Sequence, residues 1–366
     1  MAISATPGTR DVELPIYKPP PPTQLDLEFA DLAVIDLSKI ATDEGRVELT
    51  EQVRRAMHEV GFFYVINHGY TIEQTNRIFA IAKTAFDGVS KEDKKKYESP
   101  PDVYRGYKPR RTWVIKDGVM DEIEYYNFNK DLSAQPHPPA LQPFTEELEQ
   151  FAYHNHVNVI HPIMRLLARG IELPEETLVD QHKWETPGKS SVSFMKYHKR
   201  SEEDEGKVKN VWLKGHHDIG CVTALWSQPV GGLQILSPDG KWRWVKHLEN
   251  ALIVNAGDGL DFLCGGYYPP TRHRVLQPPV DQRGCDRLVV GYFCYADNDV
   301  VLRPHTESPI LQKVGIKELV QPGQPYPTME EWRRARVLAY GAKELEEKEK
   351  GVEEETLLGV VVKHYN

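Results

Sequence analysis

Apolar and polar positions change their rhythm once along the chain. Up to about residue 187, helical periodicity dominates and a few strand-like runs interrupt it. From Ser190 to about residue 300, the apolar residues fall in short runs cut by Gly, Pro, Asp or Asn. Residues 1–30 are proline-rich around Pro19–Pro22 and predict an extended arm draped over the surface. LAVIDL (Leu32–Leu37) reads as a strand. Val53, Met57 and Val60 predict a helix over 46–59 that Gly61 ends, and GFFYVINHG then reads as a buried strand. A second helix is predicted from Thr71 to Phe86, a short charged helix after an N-cap at Ser90, and a strand at EIEYYNF. Thr145–Arg169 carries one amphipathic pattern with Pro162 inside it. A proline lacks the amide hydrogen the helix ladder needs, so a kink or break is expected there.

Eight runs follow: SVSFMKY, VWLKGHHD, CVTALWS, GGLQIL, WRWVKH, ALIVNAGD, HRVLQPP and RLVVGYFCYAD. Short strands at such even spacing predict an all-β barrel or jelly roll. After Asp299 a mostly helical tail is expected, with a helix at Met329–Ala339. The charged run Lys343–Glu355 is expected to be a solvated helix or to lack fixed structure. Four regions result: an arm over 1–30, a helical and mixed region over 31–187, a β-rich core over 188–300 and a tail over 301–366.

Composition narrows the classes. The 366 residues carry a formal charge of −9, which gives no support for nucleic-acid binding, and no apolar run approaches the roughly 20 residues needed to span a bilayer. Neither a secretory leader nor a retention signal is legible, so a cytoplasmic protein without membrane or nucleic-acid partners is expected. Cys221, Cys264, Cys285 and Cys294 have no CxxC spacing and read as free thiols. Oligomeric state is not legible.

Candidate chemistry begins at Lys214–Gly220, KGHHDIG. On a strand, His216 and Asp218 share one face and His217 takes the other. One His and one carboxylate make two-thirds of a facial two-His, one-carboxylate metal site. The third ligand must lie downstream. His247, at the end of a charged strand, reads as a surface or turn histidine. His273 opens a new β segment that an antiparallel barrel can bring alongside. A His/His/Asp set with open positions favours non-haem Fe(II), because O₂ and a co-substrate can then bind one metal. Arg287, flanked by Leu288, Val289 and Val290, reads as a buried cation that needs an anion, and a carboxylate suits its fork.

Together GFFYVINHG, HHDIG, VGGLQIL, ALIVNAGD, HRVL and RLVVGYF resemble the iron(II)/2-oxoglutarate-dependent oxygenases, in the isopenicillin N synthase-like branch, over roughly residues 30–300. The resemblance implies an α+β protein whose double-stranded β-helix, or jelly roll, is flanked by helices. It implies His216, Asp218 and His273 as iron ligands, Arg287 as the partner of the far carboxylate of 2-oxoglutarate, and Tyr197 as its assistant. The expected cofactors are Fe(II), 2-oxoglutarate and O₂. A small-molecule substrate, of secondary-metabolite type, would be hydroxylated, desaturated or cyclised as succinate and CO₂ leave. Three positions depart from the pattern. Val289 replaces the Ser of R-x-S, Met195 replaces an Asn before the tyrosine, and the loop Asp281–Cys285 looks extended. Phe293, Tyr107, Arg111 and Trp113 are the candidate substrate contacts. Two alternatives stand beside this reading: a 2-oxoglutarate-independent non-haem iron oxidase of the same fold, with Arg287 holding a substrate carboxylate, and a jelly-roll binding protein without chemistry.

Overall fold

The computed structural model of the chain describes residues 14, 16–100, 103–339, 346–349 and 352–365. Six strands precede the β-rich region: β1 (Val34–Asp36), β2 (Phe62–Ile66), β3 (Gly106–Lys108), β4 (Val114–Lys116), β5 (Val119–Met120) and β6 (Ile123–Asn129). All eight runs after Ser190 contain strands: β7 (Ser191–Tyr197), β8 (Val211–His216), β9 (Val222–Trp226), β10 (Leu233–Leu236), β11 (Trp242–Trp244), β12 (Leu252–Ala256), β13 (His273–Leu276) and β14 (Arg287–Cys294). Three more follow, β15 (Glu346–Glu349), β16 (Val352–Leu357) and β17 (Val360–Tyr365).

The largest sheet has the order β1-β2-β12-β9-β14-β7-β6-β3, the second β11-β10-β13-β8-β17-β16-β15, and β4 and β5 form a separate two-stranded sheet. Within them, β7-β14-β9-β12 faces β8-β13-β10-β11, and the strand pairs of this core are antiparallel. The chain passes between the sheets as it winds, which is the double-stranded β-helix. The alternation of β-strand side chains then sends one set inward to a cavity and the other outward to the helices. Phe63, Phe128, Val192, Val290 and Tyr292 belong to the outward set and share a core cluster with Phe79 and Phe86 of the helical layer.

The helices are α1 (Asp43–Glu59), α2 (Ile72–Asp87), α3 (Lys91–Lys96), α4 (Thr145–Tyr153), α5 (His161–Gly170), α6 (Glu176–Val179), α7 (Glu202–Lys207), α8 (Asp258–Leu263), α9 (Pro309–Val314) and α10 (Met329–Ala339). A Thr71–Gln74 capping box starts α2 and the Ser90 hydroxyl caps α3. The helix expected over 145–169 changes its winding: α4 runs into a π-helical stretch, His154–Ile160, before α5. Pro162 itself lies in the first turn of α5, where a missing amide hydrogen is tolerated. The irregularity falls one turn earlier, where the ring would crowd a carbonyl.

The tail is not mostly helical: α10 forms as expected, but β15, β16 and β17 make an antiparallel meander, and β17 pairs with β8 at Tyr365–Gly215. The charged run is therefore largely strand, with 343–345, 350 and 351 outside the described residues. Residues 1–13 and 15 of the expected arm also lie outside them. The described part is extended and clasped by the long loop before β14. The Asp281 carboxylate accepts from the Thr23 hydroxyl at 2.8 Å and the Gln24 amide at 2.8 Å, and the Gln282 side-chain amide donates to Pro21 O at 2.8 Å. The cysteines are free, with Cys221, Cys264 and Cys294 buried and Cys285 half-buried.

Candidate active site

β8 ends at His216, and Asp218 lies in the turn that follows. That turn is pressed against the start of α8: the Asp258 amide donates to Asp218 O at 2.8 Å. Gly257 permits the approach, since a Cβ there would lie 2.3 Å from Gly220 O and 2.8 Å from Asp218 O. Across the sheet, His273 pairs directly with His216. The two rings are 4.3 Å apart between centroids, and Asp218 Oδ1 lies 4.0 Å from His216 Nε2 and 3.6 Å from His273 Nε2. One ligand atom from each of the three residues falls within 4.8 Å of the others, the single such group among the described residues.

The surroundings prepare these atoms as ligands. His216 Nδ1 lies 2.8 Å from Lys214 O and His273 Nδ1 3.1 Å from Thr271 O, so each Nδ1–H donates to a carbonyl and each Nε2 faces the cluster. Asp218 Oδ2 accepts from the Thr223 hydroxyl at 2.6 Å and the Asn255 side-chain amide at 2.8 Å, which leaves Oδ1 for the centre. Burial opposes the Asp218 charge, but His273, His216 and Asn255 outweigh it and hold the carboxyl well below its usual range. Burial, with His273 adding to it, pushes His216 down to about 4. For His273 burial acts the same way, yet Asp218 prevails and raises it. Two imidazoles and a carboxylate are the donor set of non-haem Fe(II), and a bound metal would take the place of any proton on His273 Nε2.

His217 also lines the cavity but is outside the three-ligand cluster, its Nδ1 3.9 Å from Asp258 Oδ1. Arg336 of α10 clamps this side, donating to Asp258 Oδ2 at 3.1 Å and to His217 O at 3.4 Å. His247 lies outside the centre, with Nδ1 2.8 Å from the Ser227 hydroxyl.

The centre opens into a cavity of about 490 Å³. Strand register explains its walls. One row crosses the large sheet as Asn129, Ser191, Phe293, Thr223, Asn255 and Phe62. Six residue pairs along β7 and β14, on the same face, Tyr197 sits opposite Arg287. Every one of these eight side chains lines the cavity. Arg287 is 4% exposed and lies over the Tyr197 ring at 5.4 Å. Its Nε donates to Val230 O at 3.3 Å, and it has no ion pair among the described residues. Burial weakens its charge, which Tyr197 and Tyr17 of the arm support. Val289 stands on the same inward face, 1% exposed, where a serine would offer a hydroxyl.

Of the expected substrate contacts, Phe293 and Trp113 line the cavity, and Lys108 Nζ lies 4.1 Å from the Trp113 ring. Tyr107 does not. It is 2% exposed on the outward face of β3, and its hydroxyl donates to Ala85 O at 2.7 Å. Its neighbour Lys108 takes the inward place. Arg111 is also elsewhere: exposed, at φ 63° in a turn, its Nε 2.8 Å from Glu122 Oε1. Sequence reasoning missed Thr223 and Asn255, whose only local signal is their inward parity. It also missed Arg333 and Arg336, more than a hundred residues after the HHD triplet.

A jelly roll with a buried His/His/Asp centre and, in the same cavity, a buried arginine without an ion pair among the described residues defines a class of non-haem iron oxygenase. Residues 32–150 match the family described as non-haem dioxygenase in morphine synthesis N-terminal, and residues 189–296 match the 2OG-Fe(II) oxygenase superfamily. Jasmonate-induced oxygenase 4 of Arabidopsis thaliana is 28% identical over 81% of this chain and 78% of its own length. The 2-oxoglutarate-Fe(II) type oxidoreductase hxnY of Emericella nidulans is 26% identical over 86% and 92%. In fold, the chain is similar to a full-length Neurospora crassa protein solved in complex with alpha-KG, at TM-score 0.74 and 20% identity over 88% of this chain and 100% of that one. It is also similar to JOX2 in complex with 2OG, Fe and JA, at TM-score 0.66 and 23% identity over 85% and 87%. The chain belongs to the 2OG-Fe(II) oxygenase superfamily and is a non-haem iron(II)/2-oxoglutarate-dependent dioxygenase. Its cofactors are Fe(II), 2-oxoglutarate and O₂. No helix among the described residues is long and apolar enough to cross a membrane.

Proposed function

We infer that His216, Asp218 and His273 hold the Fe(II), and that Arg287, stacked on Tyr197, takes the far carboxylate of 2-oxoglutarate. The substrate is a small, largely apolar secondary metabolite that is hydroxylated, desaturated or cyclised. The observation that carries this reading is Arg287: a guanidinium almost wholly buried, without an anionic partner among the described residues, facing the same cavity as the three ligands. A buried cation in that position calls for a carboxylate. When bound, the iron supplies the oxidising chemistry, in which 2-oxoglutarate and O₂ become succinate and CO₂ and a substrate C–H bond is broken. This chain's residues do the rest. Lys214 O and Thr271 O fix the imidazole tautomers. Thr223 and Asn255 aim one Asp218 oxygen inward. Arg287 and Tyr197 orient the cosubstrate. Met195, Leu213, Leu225, Val275 and Phe293 keep water from the reacting carbon.

Support for a small molecule comes from solved structures of similar fold that hold thymine or JA. The catalytic unit is the core over 188–300, with the region 31–187 as its outer layer, the described part of the 1–30 arm at its edge and α10 of the 301–366 tail over the cavity. The cytoplasm is the compartment that fits the free thiols. The test is succinate formation from 2-oxoglutarate with Fe(II) and O₂. Wild type forms succinate, and His216→Ala and Asp218→Ala lose it together with metal binding. Undiminished metal binding and succinate in both variants would contradict the assignment.

A further inference from the structure

The mouth end of the cavity holds charges that the iron centre and the cosubstrate do not use. Lys189 lies two residues before the start of β7, on the side away from Arg287. Arg105 lies just before β3, and Arg333 projects from α10. All three line the cavity. Among the described residues, Glu330 is the carboxylate in ion-pair range of this group, and Glu98 also lines the cavity. Glu330 accepts from Arg333 at 3.0 and 3.1 Å and stands 3.9 Å from Lys189 Nζ. Arg105 donates through Nη1 to Ala134 O at 3.1 Å, and its Nε is buried without a hydrogen-bond partner. Arg336 is a different case, because Asp258 already pairs with it. Among the described residues, three cations therefore face two carboxylates, Glu330 and Glu98, at a wall that is only 7% exposed at the Arg333 side chain and 25% at that of Lys189. Lys189 feels the excess. Burial lowers its affinity for a proton, Arg105 and Arg333 lower it further, and Glu330 opposes them.

Such a surplus in a half-buried wall is unfavourable until an anion enters. Phe293 lies between this cluster and the iron centre, with Ser191 and Asn129 in its row, and the apolar Leu225 and Met195 continue the wall beyond it toward Arg287. We propose that the substrate is a small organic carboxylate, its anionic end held by Lys189, Arg105 and Arg333 and its apolar body laid over Phe293 toward the iron. The three cations are thus specificity-determining residues. They choose which molecules enter and which end points outward, so that the carbon presented to the iron is remote from the carboxylate.

This proposal rests on the 2-oxoglutarate reading above and is tested beside it. Thermal shifts are measured on the full chain with Mn(II) and saturating 2-oxoglutarate. The probes are aryl-acetates, aryl-propanoates and medium-chain fatty acids, each alongside its own methyl ester. The expected result is that acids with bodies fitting about 490 Å³ raise the melting temperature and their esters do not. In Lys189→Gln combined with Arg105→Gln the acid shift falls by more than half, and the shift on adding 2-oxoglutarate is retained, which also shows that the variant folds. Arg333→Gln repeats the test from α10. Esters acting as well as their acids, no acid acting at all, or an acid shift that survives the double substitution would each overturn the proposal. Absence of any 2-oxoglutarate shift in wild type would instead overturn the cosubstrate reading.

Discussion

Replacing Arg287 with methionine should move stability and cosubstrate binding in opposite directions. The guanidinium is 4% exposed, donates to Val230 O at 3.3 Å, lies over the Tyr197 ring, and has no ion pair among the described residues. Without its ligand it is a buried charge with little compensation. Replacing such a group by an apolar side chain of similar volume stabilises by roughly 1–4 kcal/mol. A gain of about 2 kcal/mol, over an unfolding entropy of roughly 0.8 kcal/mol/K for a chain of this length, raises the melting temperature by about 2–3 °C. Binding moves the other way. Two charge-assisted hydrogen bonds to a carboxylate contribute about 1.5–3 kcal/mol each. Losing both weakens 2-oxoglutarate by roughly 10²–10³-fold or more. Scanning calorimetry under anaerobic Mn(II) reads both effects. At 100 Kd of 2-oxoglutarate, wild type gains about 2.7 kcal/mol, a rise of about 3–4 °C. The Arg287→Met protein starts higher and gains about 0.5 °C or less. A variant that melts lower without ligand and keeps its full ligand shift would refute the argument.

Further outcomes follow from the same geometry. Val289→Ser returns a hydroxyl to the inward face beside Arg287 and should tighten 2-oxoglutarate by about 1 kcal/mol, roughly fivefold, by titration calorimetry; unchanged affinity would place the cosubstrate elsewhere. Asn255→Ala removes one of the two donors to Asp218 Oδ2 and should weaken metal binding roughly 10–100-fold in competition with a chelator, with no loss of fold. Acid should destabilise the protein through buried histidines far from the iron. Burial pushes His154 down to about 4, His156 to about 2 and His182 to about 4, and each titrates near 6.5 when unfolded. Their neutral forms are at no disadvantage above pH ~6.5. Below it the unfolded chain binds up to three more protons than the folded one, and stability falls by up to about 4 kcal/mol per pH unit until about pH 4. A melting temperature flat between pH ~6.5 and ~4.5 would contradict this.

Much of the centre was legible because its signals are local. Turn residues punctuate the eight strands, and the spacing in HHD selects His216 and Asp218 over His217 even though β8 stops at His216. Arg287 stood out because a charge inside an apolar run demands a partner. Two kinds of information were not local. The first is strand parity at short edges: Tyr107 and Lys108 are neighbours, but pairing with β6 turns the lysine inward and buries the tyrosine against the helical layer. The second is long-range pairing. The run Val352–Leu357, VEEETL, has the composition of a solvated segment, and only the β16–β17 meander and its pairing to β8 make it a sheet extension. Arg333 and Arg336 belong to the same group, because nothing near Met329–Ala339 announces a cavity wall. The extended loop before β14 has a structural explanation in its hold on Thr23 and Gln24 of the arm.

The central claim is that one cavity holds the iron at His216, Asp218 and His273 and the cosubstrate at Arg287. A crystal structure of the full chain with Mn(II) and 2-oxoglutarate tests it most directly. The account predicts metal on those three side chains and the far carboxylate of 2-oxoglutarate on the Arg287 guanidinium above Tyr197. Metal held by any other set, or that carboxylate seated on Lys189 and Arg333 with Arg287 still unpaired, would contradict it.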